Sequence, residues 1–173
     1  MLIREHFAGI QKLFGCIDGG TCKVALKTHH NKYVVAEDNG KANANGNKLD
    51  VREIFFVTII GEDKVQLKGH NGKYLVAELD GTVNADRDQA SSWETWTVKN
   101  EGIGGGFTFK SFHGKYLSAE PNGELKANRN VAAEWETFRV VHKNGSGGGG
   151  SGGTGEGPIK ISRLFSPLSE ISL

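Results

Sequence analysis

The sequence predicts an all-β chain of three pseudo-repeats, and three observations carry that prediction. Asn31-Lys32-Tyr33, Gly72-Lys73-Tyr74 and Gly114-Lys115-Tyr116 place three tyrosines 41 and 42 residues apart. Around each tyrosine the same residue types return in register. Val24, Val65 and Phe107 stand nine residues before it, and Leu26, Leu67 and Phe109 seven before. Ala36, Ala77 and Ala119 follow it by three, Gly40, Gly81 and Gly123 by seven, and Ala44, Ala85 and Ala127 by eleven. Phe55, Trp96 and Phe138 follow by twenty-two, and Val57, Val98 and Val140 by twenty-four. Within each copy the apolar residues alternate with polar ones, the period of a half-buried strand.

The elements follow in chain order. In residues 1–22, Ile3, Phe7, Ile10 and Phe14 are spaced 4, 3 and 4 apart, with Leu13 beside them. That is the stripe of a short amphipathic helix. Each repeat over residues 23–143 then reads as four strands. Val24-Ala25-Leu26-Lys27 opens the first copy. His30-Asn31, Asn71-Gly72 and His113-Gly114 fall where tight hairpin turns belong. Tyr33-Val34-Val35-Ala36 is rich in β-formers. Gly40, Gly81 and Gly123 mark the next turn, where a positive φ suits glycine. Residues 41–45 and 54–60 supply the third and fourth strands. Three copies of four strands, closed around one axis, bury the repeated apolar residues together and remove most open edges. That architecture is a single β-trefoil of twelve strands.

Beyond the repeats the composition changes abruptly. Residues 145–157 hold nine glycines in thirteen positions, the signature of a flexible linker. Residues 144–157 therefore read as an engineered tether. It joins the trefoil to an apolar segment, residues 158–173, that is too short to fold alone. A tether of this kind holds a ligand at millimolar effective concentration. The segment's predicted anchors are Ile159, Ile161, Leu164, Phe165, Pro167, Leu168 and Ile171. Pro158-Ile159-Lys160-Ile161-Ser162 alternates and suits addition to a sheet edge. Ser166-Pro167 suits the start of a helical turn.

Several function classes are excluded or weakened. Lys+Arg of 21 against Asp+Glu of 20 leaves a net charge of +1, which argues against a nucleic-acid surface. No apolar run reaches the roughly 20 residues of a membrane span. Arg4, Glu5 and His6 stand where a signal peptide needs its apolar stretch, so a cytoplasmic location is expected. Two cysteines, Cys16 and Cys22, are there expected as reduced thiols. No metal-ligand spacing and no cofactor motif is present. Glu37, Glu78 and Glu120 invite an acid–base role, but threefold repetition marks them as structural. No catalytic residue is therefore assigned. His30 and His113 read as turn residues. Trp93 and Trp135 are equivalent to each other and face Arg52 in the first copy, which weakens a sugar-binding reading. Lys32, Lys73 and Lys115, with Phe7, Ile10 and Phe14, are the candidate partner contacts on the body.

The recurring Val-x-Leu-Lys, the Lys-Tyr-Leu-x-Ala-Glu, the Gly turn, the Ala-Asp/Asn-Arg and the Trp-Glu-Thr-Phe/Trp resemble the fascin-like β-trefoil over roughly residues 23–142. The resemblance is clearest in the second and third copies. The first has Val34 for leucine, Gly46 for arginine and Arg52-Glu53-Ile54-Phe55 for the tryptophan motif. Fascins bundle actin filaments, and hisactophilin, a smaller relative, binds actin. The resemblance thus implies a protein-binding trefoil without enzymatic activity. A single trefoil lacks the two faces a crosslinker needs. The expected function is an adaptor that reads a short linear motif, represented by residues 158–173. Actin binding is the second reading, with a cytoskeletal location, and carbohydrate binding the third.

Overall fold

The computed structural model describes Phe14, residues 21–101 and residues 103–142. Among these residues twelve strands form, as the repeats predict. They are β1 (Thr21–Lys27), β2 (Tyr33–Ala36), β3 (Ala42–Gly46), β4 (Phe55–Ile59), β5 (Lys64–Lys68) and β6 (Tyr74–Ala77). Then come β7 (Val83–Arg87), β8 (Thr95–Lys99), β9 (Thr108–Lys110), β10 (Tyr116–Ala119), β11 (Leu125–Arg129) and β12 (Arg139–Val141). Short 3-10 turns precede β4 and β12 at Val51–Glu53 and Glu134–Glu136.

Six strands close into a barrel. β1 pairs with β4, β4 with β5, β5 with β8 and β8 with β9, all antiparallel. A bridge between Phe107 and Phe138 joins β9 to the β12 side, and β12 returns to β1 with Leu26 opposite Val140. Closure leaves no barrel edge unpaired. The other six strands form three hairpins, β2–β3, β6–β7 and β10–β11, each with one register shift beside its tyrosine.

The repeated apolar positions all face inward. Val24, Leu26, Val65, Leu67, Phe107 and Phe109 are buried, as are Phe55, Val57, Trp96, Val98, Phe138 and Val140. All belong to one cluster with Ala36, Ala77 and Ala119 from the hairpins. The strand period puts every second residue in that cluster, which is why one chain can repeat the solution three times.

The three hairpins interlock around the pseudo-threefold axis through backbone hydrogen bonds. Ala85 N–H donates to Gly40 O at 2.8 Å, Ala127 N–H to Gly81 O at 2.8 Å, and Ala44 N–H to Gly123 O at 2.7 Å. Each glycine has φ near +90° and packs against the next hairpin. At Gly123 an added Cβ would lie 1.7 Å from Asn45 Oδ1. Repetition of these glycines therefore reflects both backbone conformation and close approach.

The predicted N-terminal helix lies outside the described residues except for Phe14. Phe14 is helical and fully buried, with its ring edge-on to Phe107 at 5.1 Å and to Phe109 at 6.4 Å. It is a plug of the barrel core, not an accessible contact for a partner.

The cysteines depart from expectation. Cys22 on β1 is disulfide-bonded, so the reading of two reduced thiols is corrected. The chain has one other cysteine, Cys16, six residues earlier. Phe14 O lies 3.6 Å from Cys22 Sγ. Reduction, or Cys22→Ser, is expected to lower stability by about 2 kcal/mol, the loop-closure entropy of so short a ring. Urea unfolding with and without reductant checks this.

His142 follows β12. Its Nε2 is buried without a partner among the described residues, and burial holds its pKa below the ordinary 6.5. The unfolded chain therefore binds a proton at a pH where the folded chain does not. Stability contributed by the neutral ring is full above pH 6.5 and falls as the pH drops toward the depressed folded value. Urea midpoints measured from pH 7.5 down to 5 are expected to decline less in His142→Leu than in the parent chain.

Candidate functional site

The three repeat junctions share one design. The turn residue three before each tyrosine reaches a backbone carbonyl of the neighbouring repeat. His30 Nε2 lies 3.0 Å from Ala119 O, and His113 Nε2 3.1 Å from Ala77 O. Both contacts require the tautomer in which Nε2 carries the hydrogen. Asn71 Nδ2 donates instead to Glu37 O at 2.9 Å. These turn residues therefore tie one repeat to the next.

Above each tie sit two further side chains, and here the junctions differ. At the junction of the first and third repeats His30 lies between Trp135, at 5.7 Å, and His29, at 5.4 Å. At the junction of the second and third repeats His113 lies between Trp93, at 4.6 Å, and Phe112, at 5.6 Å. At the remaining junction the equivalent positions are Arg52 and His70. Only the second-to-third junction thus presents two apolar rings. Phe112 is 59% exposed and Trp93 37%.

A groove of about 490 Å³ opens beside Phe112, lined also by Lys64, Ser91, Ser92, Ser111, Thr95 and Thr97, while Trp93 is not part of its lining. Thr95 Oγ1 is already engaged, donating to Ser91 O at 2.7 Å and accepting from Gln66 Nε2 at 3.1 Å. Lys64 comes from β5, and Thr95 and Thr97 from β8. An exposed ring at the rim of such a groove suits an extended segment carrying a large apolar side chain. Phe112 was legible as a departure from the histidines of the other two copies. Its place in a groove was not, because the groove is assembled from β5, β8 and the turn after β9.

The expected lysine contacts do not form one face. Lys32, Lys73 and Lys115 occupy equivalent places on three repeats, so the threefold arrangement turns them apart. Each ammonium is held by a side chain fifteen residues on: Asn47 Oδ1, Asp88 Oδ1 and Asn130 Oδ1 respectively. Lys73 in turn holds the Asp88 carboxyl below its ordinary pKa, by hydrogen bond and by charge. A second set of lysines, Lys27, Lys68 and Lys110, lies over the rings of Tyr33, Tyr74 and Tyr116 at 5.5, 5.5 and 5.2 Å. Both sets brace the hairpins.

The repeated glutamates are also structural. Glu53, Glu94 and Glu136 are buried and accept from the backbone N–H of Asp50, Ser91 and Ala133 at 3.1, 2.7 and 2.8 Å. In two copies an arginine links that glutamate to the one on the hairpin. Arg87 reaches Glu78 at 2.5 Å, and Arg129 reaches Glu120 at 2.8 Å. Burial works against the Arg87 charge, but Asp86, Glu78 and Glu94 outweigh it and raise its pKa.

Phe7, Ile10 and the expected anchors of residues 158–173 lie outside the described residues. Among the described residues no group of three His, Cys, Asp or Glu is placed to hold a metal ion. No helix among them is long and apolar enough to cross a membrane.

The family model described as the Fascin domain matches residues 29–140. The chain belongs to the Fascin-domain family. The match spans all but the first strand and the last residue of the last. No curated protein matches the chain.

Proposed function

We propose that this Fascin domain is a non-catalytic interaction module that binds a short linear motif of a partner protein. Residues 158–173 stand for that motif, and residues 144–157 act as the tether of a chimera. The observation that carries this reading is the groove beside exposed Phe112, at the one junction among the three that presents two apolar rings. Fourteen tether residues have an r.m.s. reach of roughly 20 Å, and a body of about 120 residues has a radius of gyration of roughly 14 Å. A tether of that reach spans much of the body surface. Phe165 and Leu168 are the anchors of choice, because large side chains dominate interface energy.

The test is a calorimetric titration of residues 1–143 with a free peptide of residues 158–173. Barrel closure between β1 and β12 lies within residues 21–141, so the tail-free body retains the fold. Saturable micromolar binding that is lost with Phe165→Ala and Leu168→Ala supports the reading. Absence of heat with either peptide removes it. Actin binding is the second reading, favoured by family membership, and filament co-sedimentation of the body decides it. The Cys22 disulfide bears on location, because disulfides persist in oxidising compartments. That weighs against the cytoplasmic and cytoskeletal placement expected from the sequence.

A further inference from the structure

In the first repeat the arginine of the other two is missing and its two carboxylates remain. Gly46 stands opposite Tyr33, where Arg87 stands opposite Tyr74 and Arg129 opposite Tyr116. In the second and third repeats the guanidinium bridges two glutamates. Arg87 Nε lies 3.8 Å from Glu94, and Arg129 Nε 3.7 Å from Glu136, while their Nη2 atoms bond Glu78 and Glu120. The first repeat keeps both acids as Glu37 and Glu53. Glu53 is 8% exposed. Its Oε2 accepts from Asp50 N–H, as its counterparts accept from theirs. Among the described residues its Oε1, 3.0 Å from where a Cβ on Gly46 would lie, accepts no hydrogen bond and meets no cation within ion-pair distance. Next to it lies a cavity of about 380 Å³, lined by Gly46, Glu37, Glu53 and Asp50, with Lys48 and Arg52 at the rim.

Arg52 compensates only in part. Its Nη1 reaches Glu37 Oε1 at 3.3 Å from a side chain that is 53% exposed. Asn43 Nδ2 donates to Glu37 Oε2 at 2.9 Å. Each carboxylate oxygen has two acceptor sites, so capacity is left. Glu120 shows this, since its Oε2 accepts from both Arg129 and the Ser118 hydroxyl. The uncompensated charge is felt nearby: the Tyr33 hydroxyl is pushed to a higher pKa by burial and then by Glu53.

We propose that the first repeat is a receptor for an arginine side chain, which a partner peptide inserts between Glu37 and Glu53 in the place Arg87 and Arg129 fill in the other repeats. The same molecule thus displays the bound arrangement twice. Guanidinium suits the site better than ammonium, because two carboxylates on different elements call for a planar, multiply donating group. The inference rests in part on the motif-binding reading, since residues 158–173 contain one arginine, Arg163. Exposed Val51 at the rim offers apolar contact to the residue beside it.

The test uses two probes on residues 1–143 labelled with ¹⁵N. The first is N-acetyl-arginine amide, followed through the amide signals of Gly46 and Glu53, with N-acetyl-citrulline amide as the neutral isostere. Saturable shifts with arginine and none with citrulline are expected. Gly46→Arg carries a guanidinium on the chain itself, with Glu53, whose Cγ lies 2.9 Å from the added Cβ, shifting to admit it, and Glu37→Gln weakens one wall. The first is expected to abolish the shifts and the second to weaken binding about tenfold, the scale of a hydrogen bond to a charged group. Arginine shifts elsewhere only, or shifts unchanged in Gly46→Arg, overturn the proposal. The second probe is the 158–173 peptide against its Arg163→Ala form, where a loss of about tenfold is expected. If neither peptide binds while the arginine amide does, the motif reading fails and the arginine site stands. If both peptides bind equally and the amide does not bind, the arginine site fails and the motif reading stands.

Discussion

Substituting Trp96 by alanine is expected to cost the fold about 3–5 kcal/mol, the largest effect of any single change in the barrel. Trp96 on β8 is fully buried and heads the large side chains of the core. Its indole Nε1 donates to Leu75 O at 3.2 Å, so the ring ties the barrel wall to hairpin β6–β7. Alanine would leave a cavity in the middle of the barrel and a buried carbonyl short of its donor, two costs that add. Phe55 and Phe138 hold the equivalent places. Trp96→Phe therefore repeats a solution the chain already uses twice, and its expected cost is about 1 kcal/mol, the scale of the lost hydrogen bond. Equilibrium urea unfolding separates the two variants. A Trp96→Ala midpoint as high as that of Trp96→Phe would mean that the barrel collapses around the missing ring.

Much of the fold was legible because the fold is repetition. A residue that recurs at the same place in three copies is read three times, and noise at one place is corrected by the other two. Val24, Leu26 and Phe55 are ambiguous as an isolated fragment, but with Val65, Leu67, Trp96, Phe107, Phe109 and Phe138 they define one interior. The glycine turns were legible for the same reason, although their second role, close approach to the next hairpin, arises only from packing in space. What repetition hides is function. A binding site for one partner needs only one copy, so it sits where the copies disagree. Phe112 in place of histidine and Gly46 in place of arginine were visible as departures in the sequence. Their meaning depends on what surrounds them in space, which no spacing reports. The lysines before the tyrosines show the converse. They recur in all three copies, and each ammonium bonds a side chain of its own repeat, Asn47, Asp88 and Asn130. The state of Cys22 was not legible, because cellular compartment suggests a thiol while a disulfide depends on where the partner sulfur lies in space.

The second large effect is expected on binding, with little change in stability. Phe112→Ala in residues 1–143 should weaken the 158–173 peptide by roughly thirtyfold, about 2 kcal/mol, the scale of a hot-spot residue. Its exposure of 59% means that truncation removes little packing from the free domain, so the unfolding free energy should stay within about 0.5 kcal/mol. Trp93 is a poorer probe, because its ring packs edge-on against His113, which in turn holds Ala77 O. Its loss would mix binding with the integrity of the repeat junction. Phe112→His is the informative companion, since it installs the residue that His29 and His70 provide in the other copies. It should fold as the parent does and bind as poorly as the alanine variant, because it makes the third junction resemble the others. Val131→Ala, 75% exposed on the turn after β11 and not among the residues lining the groove, should change neither quantity. Calorimetry on the three variants, with thermal unfolding beside it, distinguishes the outcomes. Peptide affinity that survives both Phe112 substitutions would move the motif site away from this junction. Affinity lost in Val131→Ala as well would mean a diffuse apolar surface in place of a groove.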